Sequence, residues 1–366
     1  MRKTLCLFII LIYSQIALAN MASPFISGST GTTPFTSKYV DILDESMLII
    51  LNSEFNGAKF IVQYRISSDK EGIQIPLLFY AFDYFDDFKI WMDGKEIELK
   101  PLPEEYEHSN SQFFNDFDYF FKDTLKNSFE NILLDTLENG FYVNLSEMKY
   151  FETDIKKGEH IIKVEYTVKE WIDKRNWIND YSIRYALSPA KYWKSFGNLK
   201  ITLDASKCGN KITTNLGKPA SGSLDSVANW NFIEIPVEII QVDYNPEPNS
   251  ISKVLINIGP ASLAFGVFVL LLILHIVYML RYRMKSIEKR FSWVMIVGSS
   301  VVPAISIISY ILFYPMIDAI IGQHASKMHG YYFIIVLFYP FIAPIYLLIM
   351  WLIDRFYKRY LIQKMS

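Results

Sequence analysis

Hydrophobic positions follow two regimes along this chain. Up to about residue 243 they alternate with polar ones in short runs; beyond Gly259 they form long unbroken stretches. Residues 58–67 set Phe60, Val62, Tyr64 and Ile66 against Ile61, Gln63 and Arg65, the period of two that marks a half-buried strand. Ile162, Val164, Tyr166 and Val168 repeat the pattern. Further strand signals lie at 47–51, 73–81, 89–92, 150–155, 181–187, 199–204 and 230–236, and Pro76 argues for an edge or a bulge. Asp93-Gly94 supplies the positive-φ residues of a tight hairpin between 89–92 and 95–99. Lys157-Gly158 predicts a second hairpin, joining 150–155 to 160–168. Short strands spaced by turns predict a sandwich-like domain over 38–243, as one unit or two.

One segment departs from period two. Between 103 and 139 the apolar positions Phe113, Phe117, Phe120, Phe121, Leu125, Phe129, Ile132, Leu133 and Leu137 step by three and four, which predicts helix, with Ser128 as an N-cap. This insertion holds two Lys against nine Asp and Glu. It reads either as a helical insertion packed on a sheet or as an acidic cap for a cation or basic partner.

The long apolar stretches are 259–280, 291–314 and 330–353. None contains Asp, Glu, Lys or Arg. Each is long enough to cross about 30 Å of hydrocarbon as a helix, the form in which a backbone satisfies its own hydrogen bonds there. Pro260 suits the first turn of the first helix. Residues 281–290 and 354–366 together carry nine Lys and Arg against two Asp and Glu. The positive-inside rule therefore predicts a cytoplasmic loop at 281–290, a cytoplasmic tail at 354–366 and an extracytoplasmic loop at 315–329. Residues 1–19 reach the same answer. Arg2 and Lys3 precede a short apolar run, and Ala17-Leu18-Ala19 matches a signal-peptidase site. A Ser/Thr/Gly-rich segment, 20–37, reads as a flexible leader, and 244–258, with Pro246 and Pro248, as a stalk.

Composition agrees with a membrane chain. The 366 residues are 51% hydrophobic, and net charge is -2. Residues 20–257 hold 24 Lys and Arg against 35 Asp and Glu, so the exported part is acidic. Nothing in that balance points to nucleic acid. Cys208 is the sole cysteine after cleavage, either a buried thiol or a link to another chain.

Candidate chemistry is sparse. No serine-hydrolase elbow, P-loop, zincin or paired-cysteine motif is present, and no cofactor is implied. His324, His329 and Asp318 are weighed as zinc ligands, but their spacing does not favour a metal, and none is assigned. His275, the titratable imidazole within the spans, is weighed as a transport group without an accompanying carboxylate. Trp171, Trp177, Tyr192, Trp193 and Lys194 form an aromatic, basic run in an acidic domain. It reads as core or as a surface for sugar rings or a partner. Ser292, Ser299 and Ser306, spaced by seven, and the small pair Ser262 and Gly266 predict close packing of a three-helix transmembrane bundle.

Ile75-Pro76-Leu77-Leu78-Phe79, residues 158–166 (Gly-Glu-His-Ile-Ile-Lys-Val-Glu-Tyr) and residues 185–193 (Tyr-Ala-Leu-Ser-Pro-Ala-Lys-Tyr-Trp) resemble segments of uncharacterised bacterial membrane proteins with a secreted β-rich head. The resemblance covers the exported half. It implies a bacterial envelope, and no activity or functional residue. The expectation is an α+β, mainly β protein: an exported β-rich domain held in the inner membrane by three helices. Its expected partners are the lipid bilayer and other envelope proteins. Three roles stay open: a non-enzymatic binding or assembly module, an accessory subunit of a transporter or sensor, and an extracytoplasmic hydrolase.

Overall fold

The computed structural model describes residues 25–26, 30–32, 40–68, 72–82, 87–101, 120–123, 128–133, 142–144, 148–187 and 195–365. The cleavable signal predicted at 1–19 lies outside them. The chain divides into two units. One is mainly sheet (Phe25–Asp173 and Asp180–Pro246); the other holds Lys174–Asn179 and Glu247–Ser366.

In the first unit the early strands are β1 (Phe25–Ile26), β2 (Thr30–Thr32), β3 (Val40–Leu51), β4 (Gly57–Ser68), β5 (Gly72–Phe82), β6 (Lys89–Met92) and β7 (Lys95–Glu96). β8 (Phe120–Asp123), β9 (Ser128–Leu133) and β10 (Tyr142–Asn144) form a small antiparallel sheet. After them come β11 (Met148–Ile155), β12 (Gly158–Lys169), β13 (Trp171–Asp173), β14 (Asp180–Ala186), β15 (Phe196–Asp204), β16 (Ile212–Thr214), β17 (Ser221–Gly222), β18 (Val227–Phe232) and β19 (Ile239–Tyr244).

Two eight-stranded sheets dominate. One has the order β17-β18-β15-β3-β4-β12-β6-β7; the other runs β1-β13-β14-β2-β5-β11, with β19 on β14 and β16 on β19. The alternation read in 58–67 and 160–168 is realised in β4 and β12, where every second side chain is buried. These faces and β14, β16 and β19 of the other sheet feed one buried cluster, with Val62, Ile162, Tyr185 and Val242 among its members. Phe60 stacks on Tyr185 at 5.5 Å between ring centres. The Asp93-Gly94 hairpin forms as expected: φ is 50° and 80° at its two residues, and Met92 pairs with Lys95.

Five expectations are corrected. First, the described parts of the helical insertion at 103–139 are the strands β8 and β9, not helix. Phe and Ile favour strands, and spacing by three or four cannot exclude short strands broken by turns. Second, two pieces of the flexible leader pair as strands, β1 with β13 and β2 with β14 and β5, because ladder bonds use backbone alone. Third, Lys157-Gly158 closes no hairpin. β11 pairs with β5 and β12 with β4 and β6, so the chain changes sheet there. Gly158 does take a positive φ of 127°, but a turn residue does not say which strands pair.

The fourth concerns the stalk. Helix α1 (Ser250–Lys285) starts within it, capped by Asn249, whose side chain accepts from Ser252 N–H at 2.8 Å. α1 is broken at Gly259 (φ 73°, ψ 160°), so Pro260 opens a new first turn where its missing N–H leaves no helix bond unmade. α2 (Trp293–Ile321) and α3 (Tyr339–Met365) follow, with a 3₁₀ turn at Tyr332–Phe338 before α3. Three helical segments, Ser250–Lys285, Trp293–Ile321 and Tyr332–Lys364, are long and apolar enough to cross a membrane. Fifth, α2 extends through Ile321, so Asp318 sits on a helix rather than in the loop expected from 315. Met279, Met295, Val302, Tyr346 and Met350 bring the three helices into one buried cluster.

Candidate functional site

The helical unit gathers its polar side chains at three levels. At one end, Arg283 from α1 and Asp354 from α3 form a buried ion pair, with side-chain exposures of 2% and 4%. The guanidinium Nε donates to Asp354 Oδ1 at 2.8 Å, and Nη2 donates to Oδ2. Nη1 donates to the Lys289 carbonyl at 2.7 Å, which also accepts from Lys358 Nζ at 2.9 Å. Each of the three guanidinium nitrogens thus donates a hydrogen bond, and the buried charge has a counterion.

One level inward, His275 Nδ1 meets Tyr346 Oη at 3.0 Å and Nε2 meets the Val294 carbonyl at 3.1 Å. The ring is buried. Gly298 makes its seat, since a Cβ there would lie 2.2 Å from His275 Nε2. The neighbouring Ser299 hydroxyl is buried without a partner.

At the opposite end His329 places Nε2 2.9 Å from both oxygens of Asp318, with the two side chains 7% and 11% exposed. Aromatic rings surround the imidazole: Trp177 at 4.3 Å, Tyr314 at 5.0 Å and Tyr332 at 6.3 Å. The imidazole is thus held by a carboxylate and enclosed by aromatic rings. The segment Lys174–Asn179 is fastened to the turn beside it. Ser326 N–H donates to the Trp177 carbonyl at 3.0 Å, Ser326 Oγ to the Lys174 carbonyl at 2.7 Å, and Asn179 N–H to the His324 carbonyl at 2.8 Å. Burial lowers the His324 pKa.

The predicted site residues are scattered. Trp177 lies in that aromatic cage. Trp171 is buried in the sheet unit under the Arg184 guanidinium, 4.8 Å from its ring. Tyr192, Trp193 and Lys194 lie outside the described residues. Among the helix-packing residues, Ser292 caps α2, accepting from Met295 N–H at 3.2 Å, and Ser306 Oγ donates back to the Val302 carbonyl. Ser262 and Gly266 are exposed, and space is open where a Cβ of Gly266 would go. Of the weighed zinc ligands, Asp318 and His329 meet, whereas His324 Nε2 pairs with Gln323 at 3.0 Å. Among the described residues no three His, Cys, Asp or Glu gather as a metal site would require. Cys208 is a buried thiol.

Sequence reading missed one cluster in the sheet unit. Glu45 of β3 is 1% exposed, with no basic group against its carboxyl among the described residues. Burial pushes its pKa up to about 8, against the nearby Tyr185 and Tyr64 hydroxyls, which favour the charged form. Those two hydroxyls bond each other at 2.7 Å, while the Tyr166 hydroxyl is buried without a partner. Stepping back by two from buried Leu51, Ile49 and Met47 lands on Glu45, so the signal was present in the register.

No family model matches the chain, and no curated protein matches it. Solved structures similar to its backbone include a yeast LTA4 hydrolase (4% identity, TM-score 0.29) over 57% of this chain and 29% of that one. Another is an M1 zinc metallopeptidase from Deinococcus radiodurans (7% identity, TM-score 0.27) over 57% of this chain and 43% of that one. The chain spans less than half the length of either. Likeness at this level carries no argument about function.

Proposed function

We propose that this chain is a membrane-anchored, non-enzymatic binding or assembly module of a bacterial cell envelope. In this reading residues 1–19 are a cleaved signal, residues 20–258 form an extracytoplasmic, sandwich-like head, and three transmembrane helices hold it with the C-terminus in the cytoplasm. One observation carries the anchor role. The charged and imidazole groups of the helical unit named above are engaged inside the chain, while exposed Leu270, Ile273, Val297, Ile308, Leu312 and Leu348 offer lipid a hydrocarbon surface. Transport along these helices would need polar groups free to exchange partners.

The test is a topology map of the full chain. A phosphatase active only after export, inserted beside exposed Lys218, is expected to be active, and a cytosol-only reporter after Ser366 to be active too. The reverse pattern removes the reading. An accessory-subunit role has one observation in its favour: the small pair Ser262 and Gly266 faces outward and is unused within the chain. In that case a partner co-purified in mild detergent is lost from the Gly266→Leu chain.

A further inference from the structure

The end of the helical unit where α1 stops, α2 starts and α3 stops holds more cations than its internal contacts use. Arg283 is neutralised by Asp354, and Lys358 is held by the Lys289 carbonyl. Arg281, Lys285 and Arg290 from one side and Arg355, Arg359 and Lys364 from the other remain exposed, opposed in both segments by exposed Glu288 alone. Arg355 and Arg359 are four apart on α3, so they share a stripe.

The same stretches expose large apolar groups: Phe291 at 51%, Trp293 at 69%, Phe356 at 65% and Tyr360 at 57%. Phe356 and Tyr360 form a second stripe beside the arginines. Aromatic rings steady some of the cations, with the Arg290 guanidinium 5.2 Å from the Phe291 ring and that of Arg355 5.2 Å from Trp351. Exposed aromatic rings interleaved with guanidinium groups at the end of a membrane-spanning unit suit the lipid headgroup region, where rings pack among the glycerol backbones and cations meet phosphate.

We propose that this basic end binds anionic phospholipid headgroups and retains them around the helices in preference to zwitterionic ones. Phosphate oxygens would accept from the exposed arginines, which offer paired N–H donors in a fixed fork. The Arg283–Asp354 pair has a supporting part only: it ties α1 to α3 so that cations from both helices face one headgroup layer. The proposal rests on the reading that the helices span a bilayer.

The test uses the purified full chain reconstituted into nanodiscs of phosphatidylcholine, alone or with phosphatidylglycerol at one third. It is then extracted in mild detergent, and the retained lipid is measured by mass spectrometry. Phosphatidylglycerol is expected at about threefold or more over its bulk share. The enrichment should vanish in high salt and in a chain carrying Arg281→Gln, Arg290→Gln, Arg355→Gln and Arg359→Gln. It should persist with Lys200→Gln and Lys218→Gln, which alter exposed lysines of the sheet unit. Millimolar glycerol 3-phosphate is expected not to displace the lipid; displacement would mean a soluble phosphate site and overturn the proposal. Retention at the bulk ratio overturns it too. The salt series on the unaltered chain decides the matter if the fourfold variant does not fold. A chain that enters no bilayer overturns the spanning reading as well, whereas one that enters both kinds without selecting lipid overturns this proposal alone.

Discussion

The two units bury ionisable groups by opposite means. In the sheet unit Glu45 sits alone among tyrosines, and burial makes it hold its proton up to about pH 8. In the helical unit Arg283 and Asp354 are equally buried but face each other, with the Lys289 carbonyl accepting from the third guanidinium nitrogen. A carboxyl can escape the penalty of a dry site by staying neutral; a guanidinium cannot, because its pKa lies far above any working pH. The lone group is therefore an acid and the buried base has a partner.

Removing one member of the ion pair should have the largest effect. Asp354→Asn leaves Arg283 charged and without its counterion, and is expected to cost about 3–5 kcal/mol. Thermal unfolding of the full chain in detergent measures this, and Arg283→Met with Asp354→Leu should restore much of it. A single variant as stable as the parent would erase the contrast between the units.

Glu45 sharpens it from the other side. Its folded pKa is raised, so the folded state keeps a proton that the unfolded chain releases. Stability is then full below about pH 4.5 and falls as pH rises towards 8. The loss from this group between pH 4.5 and 7 should be roughly 3 kcal/mol. Glu45→Gln should flatten that slope and be the more stable chain at pH 8, by chemical denaturation of the full protein in detergent. An unchanged slope would mean that Glu45 is ionised in the fold.

The smallest effect belongs to an ion pair at the surface. Burial disfavours charge on His160, but hydrogen bonds to Asp93 at 2.7 Å and to the Lys156 carbonyl outweigh it and raise its pKa. Burial likewise opposes charge on Asp93, yet His160 and the Ile161 N–H lower its pKa. The His160 contribution is full below about pH 6.5 and is lost as pH climbs through the raised value. That of Asp93 is present above about pH 3.8 and is lost as pH falls. Their shared window is about pH 4 to 6.5. Because Asp93 is half exposed, His160→Asn should cost less than about 1 kcal/mol at pH 5.5 and nothing measurable at pH 8.5. A larger loss at pH 8.5 would assign His160 a packing role instead.

Legibility in the sequence followed the range of the interactions. The apolar stretches, the period of two in β4 and β12, and the Asp93-Gly94 turn are set by residues within a few positions of one another, and all could be read. The start of α1 was also readable, because Asn249 followed by Ser-Ile-Ser is a local cap; the two nearby prolines drew the reading to a stalk instead. What could not be read were pairings between distant residues. Arg283 and Asp354 lie 71 positions apart and entered the charge count as two independent loop charges, although the fold joins them. The chain's change of sheet between β11 and β12, and the strand pairing of β8 and β9, rest on backbone partners that periodicity does not name.

Gly259 has a mechanical consequence. Its φ of 73° uncouples residues 250–258 from residues 260–285, so the two pieces do not share one screw axis. Twisting the short piece about its own axis would not rotate the long one in step. This joint passes tension along the chain but little torque, and an alanine in its place would resist the very backbone angle that makes it so.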